Sequence, residues 1–455
     1  MIRENLLRTV RDLSARHDTT AFAELVGSVH PSDMAEALET LKSRDVARLL
    51  PCLKAEALAE VFVYFSEERQ SRLLRELPRE TVVALFEGMA ADERVDLFHD
   101  LDEAARQRLL PALAHGERED ILRLAAYAEG SVGSVTTSDY VSVLPDMSVA
   151  QALAHVRATA ADKETIYVIY VQDKEGHLCG TLSLRELLLA DDALTIRNIM
   201  RRDPVFARAQ WPRSKASELI GRYDLLALPV INGGEKMVGI VTVDDAMDVI
   251  EEETTEDFEK MAAMLPSDKP YLKSGIFATW KARLPWLMIL MLSATFTGMI
   301  LNHYESALAA CLVLNSYIPM LSGTGGNSGT QASVAVIRAL SLDEVDFSDI
   351  LRVLWKELRV SLLCGVCLAG ANFVKMQLVD RLLLGNAAVT PTVCLVVCLT
   401  ILFVVVFAKC VGCSLPLLAE KIGLDPAVMA SPFISTIVDA TSLLIYFRFA
   451  SWLLL

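Results

Sequence analysis

PAVMASPFISTIVDATSLLIYF, residues 426–447, is long enough to cross a bilayer as a helix and carries a single charge, Asp439. About 20 residues of helix span the ~30 Å hydrocarbon core. Burying a carboxylate there costs at least ~2.5 kcal/mol, so such acids usually face a bundle interior or a water-filled path, where they handle ions or protons. The alternative is a structural acid hydrogen-bonded to a neighbouring helix. Asp439 is the first candidate functional residue.

Four further uncharged runs occupy the C-terminal half. Most reach the ~20 residues that a spanning helix needs. The third is short, and we expect Lys375 and Asp380 near its end to pair or to reach the membrane surface. With the first stretch these runs predict five spanning helices. The four further runs are Leu284–Asn302, Ser306–Ile337, Val360–Val374 and Leu382–Ala408.

The charges that flank these runs predict the orientation. The first 270 residues contain no apolar run of spanning length, and Met1–Thr20 lacks a signal-peptide pattern, so we expect the N-terminus in the cytosol. Basic residues precede the first run and separate the second from the third, in accord with the positive-inside rule. They are Lys273, Lys281, Arg283, Arg338, Arg352, Lys356 and Arg359. Five spans then place the C-terminus outside, in a multi-pass protein of the inner (cytoplasmic) membrane.

Composition narrows the possible functions. A net charge of -15 argues against nucleic-acid binding, which needs a basic face. Nine cysteines are dispersed, six of them in apolar runs. Two pairs have the C-x-x-C spacing of metal or redox sites, Cys364 with Cys367 and Cys410 with Cys413. We favour packing for them, because free cysteine behaves as a small apolar residue.

The first part of the cytosolic half repeats every 24 residues. Met34–Leu38, Leu58–Phe62 and Val82–Phe86 align at that spacing. Each unit predicts two short amphipathic helices, which must stack on their neighbours to bury their apolar faces. The stack is either a solenoid binding surface or a plain spacer.

A different repeat follows, offset by 59 residues. Val171–Gly180 and Val230–Gly239 each place a β-rich run before a polar turn. A second strand and a capped helix start come after each turn. The pattern predicts a compact α/β unit used twice.

The densest charge in the chain lies between these units and the membrane. Residues 244–259 contain nine acids and no basic residue, and Lys260 follows them. Pairs such as Glu252 with Glu256, and Glu253 with Asp257, repel at i,i+4 on a helix. A solvated acidic face is the common explanation of such a run. The alternative is a cation site, because carboxylate oxygens are the ligands of Mg²⁺.

The second apolar run contains a glycine-rich stretch, PMLSGTGGNSGTQAS, residues 319–333. Small residues there allow close packing of helices. Irregular backbone at membrane depth is instead tolerated only where protein covers it or where it lines a wet cavity. Together with Asp439, the stretch favours a pore.

The α/β repeat resembles a CBS-domain pair, over about Val132–Ile250, because both copies carry glycine, two apolar residues, Ser or Thr and a later acid. CBS pairs usually sense adenine nucleotides or ions. The resemblance implies Glu186, Thr242 and Asp245 as candidate nucleotide contacts, with ATP as a possible ligand. The first copy carries Glu186 where the family favours Asp.

The whole chain resembles the MgtE family of magnesium channels. The resemblance rests on residues 319–333, on Asp425-Pro426 with Ser435–Thr441, and on Thr255-Glu256-Asp257 after the CBS pair. It implies a multidomain fold: a cytosolic α-helical repeat superhelix (1–130), an α/β CBS-domain pair (131–250), an acidic connecting helix (251–273) and an all-α five-helix transmembrane domain (274–455).

The resemblance also implies a homodimer in the lipid bilayer, with a pore lined by both protomers. It assigns Asp439 as the pore carboxylate and Gly325, Gly326, Asn327 and Gln331 as pore-lining residues. The cation ligands that it implies in the cytosolic part and the connector are Asp425, Glu253, Glu256, Asp257, Asp245 and Asp248. In contrast to the family, the segment Trp211–Lys215 is basic.

Ion chemistry suggests how such a channel would work. Mg²⁺ sheds its water reluctantly, so a selective pore should hold the hydrated ion with few carboxylates and many hydrogen bonds. Cytosolic Mg²⁺ on the acidic connector would cancel charge repulsion and close the pore, which makes Mg²⁺ both transported and regulatory. Two alternatives are a carrier for Co²⁺ or Ni²⁺ and, less favoured, a CBS-regulated membrane enzyme.

Overall fold

The computed structural model describes residues 2–267, 271, 274–342, 344–429 and 431–454. The chain forms two compact units, Met1–Ile250 and Glu251–Leu455. The predicted boundary of the connecting segment at residue 273, and Lys273 itself, lie outside the described residues.

The N-terminal part is a stack of short helices. They are α1 (Ile2–Arg16), α2 (Thr19–Val26), α3 (Pro31–Glu39), α4 (Ser43–Leu49), α5 (Ala55–Phe62), α6 (Glu67–Glu76), α7 (Arg79–Gly88), α8 (Ala91–Asp100), α9 (Glu103–Leu109) and α10 (His115–Leu124). The prediction of two short helices per 24-residue unit is confirmed for α3–α8. One continuous apolar core joins the units, from Val10 to Ile121. Buried Arg69 links neighbouring units, because it donates to Ser43 Oγ at 2.9 Å and to the carbonyl of Leu41 at 2.7 Å.

Two α/β modules of similar form follow. The first contains β1 (Tyr140–Val143), α11 (Val149–Thr159), β2 (Thr165–Gln172), β3 (Leu178–Ser183), α12 (Leu184–Leu189) and α13 (Ile196–Ile199). The second contains β4 (Ala207–Arg208), α14 (Arg213–Tyr223), β5 (Ala227–Ile231), β6 (Met237–Thr242) and α15 (Val243–Met261). In each sheet the first strand pairs parallel to the second, which pairs antiparallel to the third. The predicted strand, turn, strand and capped helix are confirmed in both copies.

The C-terminal unit is helical. Its elements after α15 are α16 (Ile276–His303), α17 (Glu305–Ala310), α18 (Ile318–Ser341), α19 (Ile350–Lys375), α20 (Pro391–Lys421) and α21 (Ser431–Leu453). A π-helical segment, Met376–Leu383, extends α19. α18 packs against both α20 and α21, α19 against α20, and α16 against α21.

Among the described residues, four helical stretches have the length and apolarity of membrane spans: Ile276–His303, Phe347–Leu383, Pro391–Lys421 and Pro426–Leu453. α18 is less apolar, since it contains the glycine-rich stretch, but its 24 residues would extend about 36 Å. The count of five spans stays a prediction that depends on α18.

Two predicted runs do not correspond to single helices. Ser306–Ile337 is interrupted after α17, and Leu382–Ala408 is interrupted between the π-helical segment and α20. α20 continues past Ala408 to Lys421. Lys409 can lie inside the bundle, where it is only 6% exposed, because its ammonium lies 3.7 Å from the Glu357 carboxylate. A charge that is paired inside the bundle does not end a helix.

The expectation of irregular backbone at residues 319–333 is wrong, because the whole stretch lies in α18. Its small residues bring helices close together. A Cβ atom at Gly412 of α20 would overlap the carbonyl oxygen of Gly329, and one at Gly325 would lie 2.6 Å from Val404 and 2.7 Å from Val438. The close-packing interpretation therefore explains these glycines.

Candidate cation sites

Asp439 lies on the inner side of α21, where it meets α18. The hydroxyl of Ser322 donates a hydrogen bond to its Oδ1. One turn earlier on α21, Thr436 lies 3.5 Å from Ser293 of α16, measured between hydroxyl oxygens. The carboxylate is half-buried. Asp439 therefore faces neighbouring helices and retains partial access, and its hydrogen bond is also the one that a structural acid would make.

The predicted pore-lining residues separate onto two faces of α18. Gly325 and Gly326 are buried against α20 and α21, and a Cβ at Gly326 would lie 3.3 Å from Ser435 Oγ. Asn327 and Gln331 are exposed and one turn apart. Asn327 is about 140° around the helix from Ser322. The backbone carbonyls of the glycine-rich stretch bond within α18, as in any helix, and are not free to act as ligands. The two amides do not share the face that meets Asp439.

The acidic end of α15 meets the turn that precedes α21. Lys260 Nζ lies 2.5 Å from Asp425 Oδ2 and 2.7 Å from Glu256 Oε1. Burial and the charge of Asp425 raise the pKa of Asp257, and Lys260 partly offsets this. Glu253 is half-buried one turn before Asp257, on the same face. Of the predicted ligands, Glu256, Asp257 and Asp425 come together here, but a lysine already provides a cation.

The predicted nucleotide contacts cap helices in both modules. Ser183 N and Oγ donate to Glu186 Oε2 at 2.7 and 2.8 Å, and Arg201 donates to Glu186 Oε1 at 2.8 Å. In the second copy, Thr242 N donates to Asp245 Oδ2 at 3.2 Å. Both oxygens of Glu186 are therefore engaged within the protein.

A buried acidic cluster in the N-terminal unit joins Asp245, a predicted cation ligand, to three acids that were not predicted. Asp92 and Glu93 at the start of α8 share an electrostatic environment with Glu164 and Asp245. Burial, followed by the charges of Asp245 and Glu93, raises the pKa of Asp92, and its Oδ1 has no hydrogen-bond partner among the described residues. Burial raises the pKa of Glu93 to about 7. Carboxylates held this way are favourable cation ligands.

Sequence carried little sign of this cluster. For its three unpredicted acids, the only signal was the acidic pair Asp92-Glu93 at a helix start. Its burial arises because Ala91 and Val95 of α8 pack with Val238 of β6, more than 140 positions further along the chain.

Two further groups of polar side chains lie apart from these sites. Asp173, Glu175 and His177 place ligand atoms within 4.8 Å of one another in the turn after β2, where Asp173 already accepts hydrogen bonds from the turn. Lys375 and Asp380 pair at 2.9 Å, as expected, and Tyr317 donates to the same carboxylate oxygen at 2.8 Å.

Comparison with known proteins agrees with this architecture. Residues 318–449 match the family model for MgtE, a divalent cation transporter, and residues 29–130 match the MgtE intracellular N domain. Residues 132–192 and 196–252 match the CBS domain.

Curated relatives extend over almost the whole chain. The magnesium transporter MgtE of Thermus thermophilus is 37% identical over 99% of each chain. That of Bacillus subtilis is 30% identical over 94% of this chain and 93% of its own. Since these relatives are transporters, the membrane-enzyme alternative is wrong.

Solved structures resemble the cytosolic half. The soluble part of a magnesium transporter is 29% identical, with a TM-score of 0.53, and covers 55% of this chain and 99% of its own. The cytosolic domain of the Mg²⁺ channel MgtE in complex with ATP is 34% identical, with a TM-score of 0.51, and covers 53% of this chain and 99% of its own. From its domains, its membrane helices and these relatives, the chain belongs to the MgtE family of magnesium transporters and resides in a cell membrane.

Proposed function

We propose that this protein imports Mg²⁺ across the cytoplasmic membrane through a pore shared by two copies of the chain, with Asp439 as the pore carboxylate. The observation that carries the proposal is the position of Asp439, a half-buried acid within an apolar helix that contacts Ser322 in the glycine-rich stretch of α18. A hydrated Mg²⁺ needs a carboxylate and neighbouring hydrogen-bonding groups rather than a closed cage.

A second copy of the chain would bring the amides of Asn327 and Gln331 near a pore carboxylate, which a single copy does not do. Asn327 and Gln331 are polar and exposed on a helix of the apolar unit. Facing the equivalent surface of a partner, these amides would line a route with the partner's carboxylate near it. The homodimer is also supported in the cytosolic unit, where Leu189 is 76% exposed and Met247 is 65% exposed. Large exposed apolar residues of this kind mark interaction surfaces.

We propose that cytosolic Mg²⁺ closes this pore through two acidic sites. The first is the connector site, formed by Glu253, Glu256, Asp257 and Asp425. Two like charges ~6 Å apart at an effective dielectric of ~20 repel by roughly 3 kcal/mol. A bound divalent cation would replace this repulsion by attraction and hold α15 against the turn before α21. Loss of the ion would release it.

The second proposed site is the acidic cluster of Asp92, Glu93, Glu164 and Asp245, with Asp248 one turn beyond Asp245. Burial, and after it the like charges of neighbouring acids, raises the pKa values of Asp92, Glu93 and Asp245. Mg²⁺ would supply the missing positive charge and fasten the helical stack to the second CBS module. This arrangement gives the feedback a sensor inside the cytosolic unit.

We propose ATP as a ligand of the second CBS module rather than the first. Glu186 has both carboxylate oxygens engaged by Ser183 and Arg201. Among the described residues, the hydrogen bonds to Asp245 come from Thr242 and reach Oδ2 alone. A titration of the full chain with ATP should therefore lose affinity in Asp245→Asn and keep it in Glu186→Gln.

A flux competition experiment tests the transport proposal. Purified protein in vesicles should take up Mg²⁺ down its gradient, and raising Mg²⁺ on the cytosolic face should slow the uptake. Equimolar Co²⁺ or Ni²⁺ should compete weakly, because softer metals prefer histidine or cysteine ligands, and no histidine follows His303. Faster flux of Co²⁺ or Ni²⁺ than of Mg²⁺ would favour the alternative carrier. Uptake that ignores cytosolic Mg²⁺ would contradict the feedback.

A further inference from the structure

Two adjoining hollows meet at Arg448 near the C-terminal end of α21. One, of about 420 Å³, is lined by Tyr304, Phe403, Leu444, Ile445, Arg448 and Phe449. The other, of about 470 Å³, is lined by Arg448, Phe449, Ser451 and Trp452. We call them together the Arg448 groove. Each volume is in the range of small-molecule sites, ~300–1,000 Å³.

The walls of the 420 Å³ hollow are mostly apolar and are ordered by ring contacts, whereas the second hollow also has the polar lining residues Arg448 and Ser451. Phe403 of α20 and Phe449 of α21 have ring centroids 5.3 Å apart. Tyr304, just after α16, stacks on Phe447 at 4.9 Å. The middle of α20, the C-terminal half of α21 and the residue that follows α16 thus line one groove. Arg448 lies nine residues after Asp439, about 180° around the helix, so the groove faces away from the proposed pore.

The groove contains one charge, which the protein does not neutralise. Among the described residues, Arg448 makes no hydrogen bond or ion pair, and its side chain is exposed. An unpaired guanidinium in a membrane unit calls for an anion, and its planar fork matches phosphate.

The depth of Arg448 fits a lipid headgroup. It lies five residues before Leu453, the end of α21, or about 8 Å along the helix. Trp452, one turn further, is 75% exposed. Tryptophan at this level is typical of the aromatic belts at membrane surfaces.

We propose that the Arg448 groove binds an anionic phospholipid of the surrounding bilayer, with one acyl chain along the aromatic walls and the phosphate on Arg448. The groove is amphipathic, with one mostly apolar hollow and a cationic side chain where the two hollows meet, and this form is complementary to such a lipid. The site is separate from Asp439 and from the acidic clusters.

Quenching of Trp452 fluorescence tests the proposal in the full-length protein. The vesicles contain phosphatidylcholine and phosphatidylglycerol, with bromine on the acyl chains of one lipid at a time, and Trp452→Phe identifies the contribution of Trp452. Brominated phosphatidylglycerol should reach Trp452 about fivefold more favourably than brominated phosphatidylcholine. Arg448→Gln should remove the preference and Arg448→Lys should keep most of it. The matched control Arg381→Gln, an exposed arginine on the same predicted side of the membrane, should keep the wild-type preference.

Two results would overturn the proposal. One is equal quenching by both lipids in the wild type, or a preference that survives Arg448→Gln. The other is no quenching of Trp452 by either lipid, which would show that a second copy of the chain covers the groove.

Discussion

Lys260 places an ammonium group against two of the carboxylates that we assign to the connector site. Burial disfavours its charge, but hydrogen bonds to Asp425 and Glu256 outweigh burial and raise the pKa of Lys260. The lysine therefore remains protonated, and in the proposed site it would compete with Mg²⁺ for the same oxygens.

Removal of the Lys260 ammonium should make the flux more sensitive to inhibition by cytosolic Mg²⁺. In Lys260→Gln, half-inhibition of flux should occur at a roughly tenfold lower cytosolic Mg²⁺ concentration, because the ion no longer displaces an ammonium. Flux assays at graded internal Mg²⁺ measure this shift. Lys281→Gln, an exposed lysine on α16, serves as the control and should behave as wild type. An unchanged or higher inhibitory concentration in Lys260→Gln would remove Lys260 from the site.

The raised pKa of Glu93 predicts a pH dependence. In the folded chain this carboxyl ionises near pH 7 rather than at its usual 4.5, so the unfolded state binds fewer protons between these values. Without Mg²⁺, the cytosolic unit should therefore lose stability as pH rises from about 4.5 to about 7, by up to about 3 kcal/mol. Mg²⁺ should restore stability at pH 8 and have little effect at pH 5.5, where protons hold the site.

Thermal unfolding of the full-length protein at several pH values, with and without Mg²⁺, measures this effect. Glu93→Gln should flatten the pH dependence, since the amide can still accept the hydrogen bond from Ala90 N. A profile that is identical in this variant would show that the pH dependence belongs to other groups.

At the level of elements, the crossing of α18 and α20 depends on two glycines in contact. Gly412→Ala should lower the unfolding temperature markedly, with a cost of about 1–3 kcal/mol, because the new methyl group meets the Gly329 backbone rather than a movable side chain. Gly370→Ala in α19 is the control, since nothing lies within 4 Å of its added Cβ. It should leave stability equal or slightly higher. Equal effects of the two substitutions would contradict the packing described here.

The sequence predicted the elements better than their surroundings. The 24-residue period identified the helix pairs, and the 59-residue period identified both α/β modules, because each pattern reflects local geometry. Lys409 was misinterpreted as the boundary of a span, since its pairing with Glu357 depends on a second helix. The glycine-rich composition suggested irregular backbone. The stretch is helical, and its glycines pack against α20 and α21, which the composition alone does not reveal. Asp92 and Glu93 remained hidden for the same reason, as their burial is created by a distant module.

At the level of the whole molecule, the proposal requires two copies. The exposed apolar residues Leu188 and Leu189 of α12 and Met247 and Ile250 of α15 suit a dimer interface in the CBS pair. Leu189→Glu should weaken dimers of the full chain, because a charge at the core of an apolar interface is costly to desolvate. Light scattering after size-exclusion chromatography measures the mass. The control is Leu122→Glu, a 49% exposed position on α10, which should leave the mass unchanged. A dimer that tolerates Leu189→Glu as well as the control would place the interface elsewhere.

The central claim is that Mg²⁺ passes the Asp439 carboxylate, and one flux measurement tests it most directly. Asp439→Asn keeps the size and the acceptor for Ser322 but removes the charge, whereas Glu305→Gln removes an exposed acid at the start of α17. In vesicles with equal amounts of folded protein, we expect Mg²⁺ uptake to fall at least tenfold in Asp439→Asn and to stay at the wild-type rate in Glu305→Gln. Wild-type uptake in folded Asp439→Asn would show that the carboxylate is structural and that the ion takes another route.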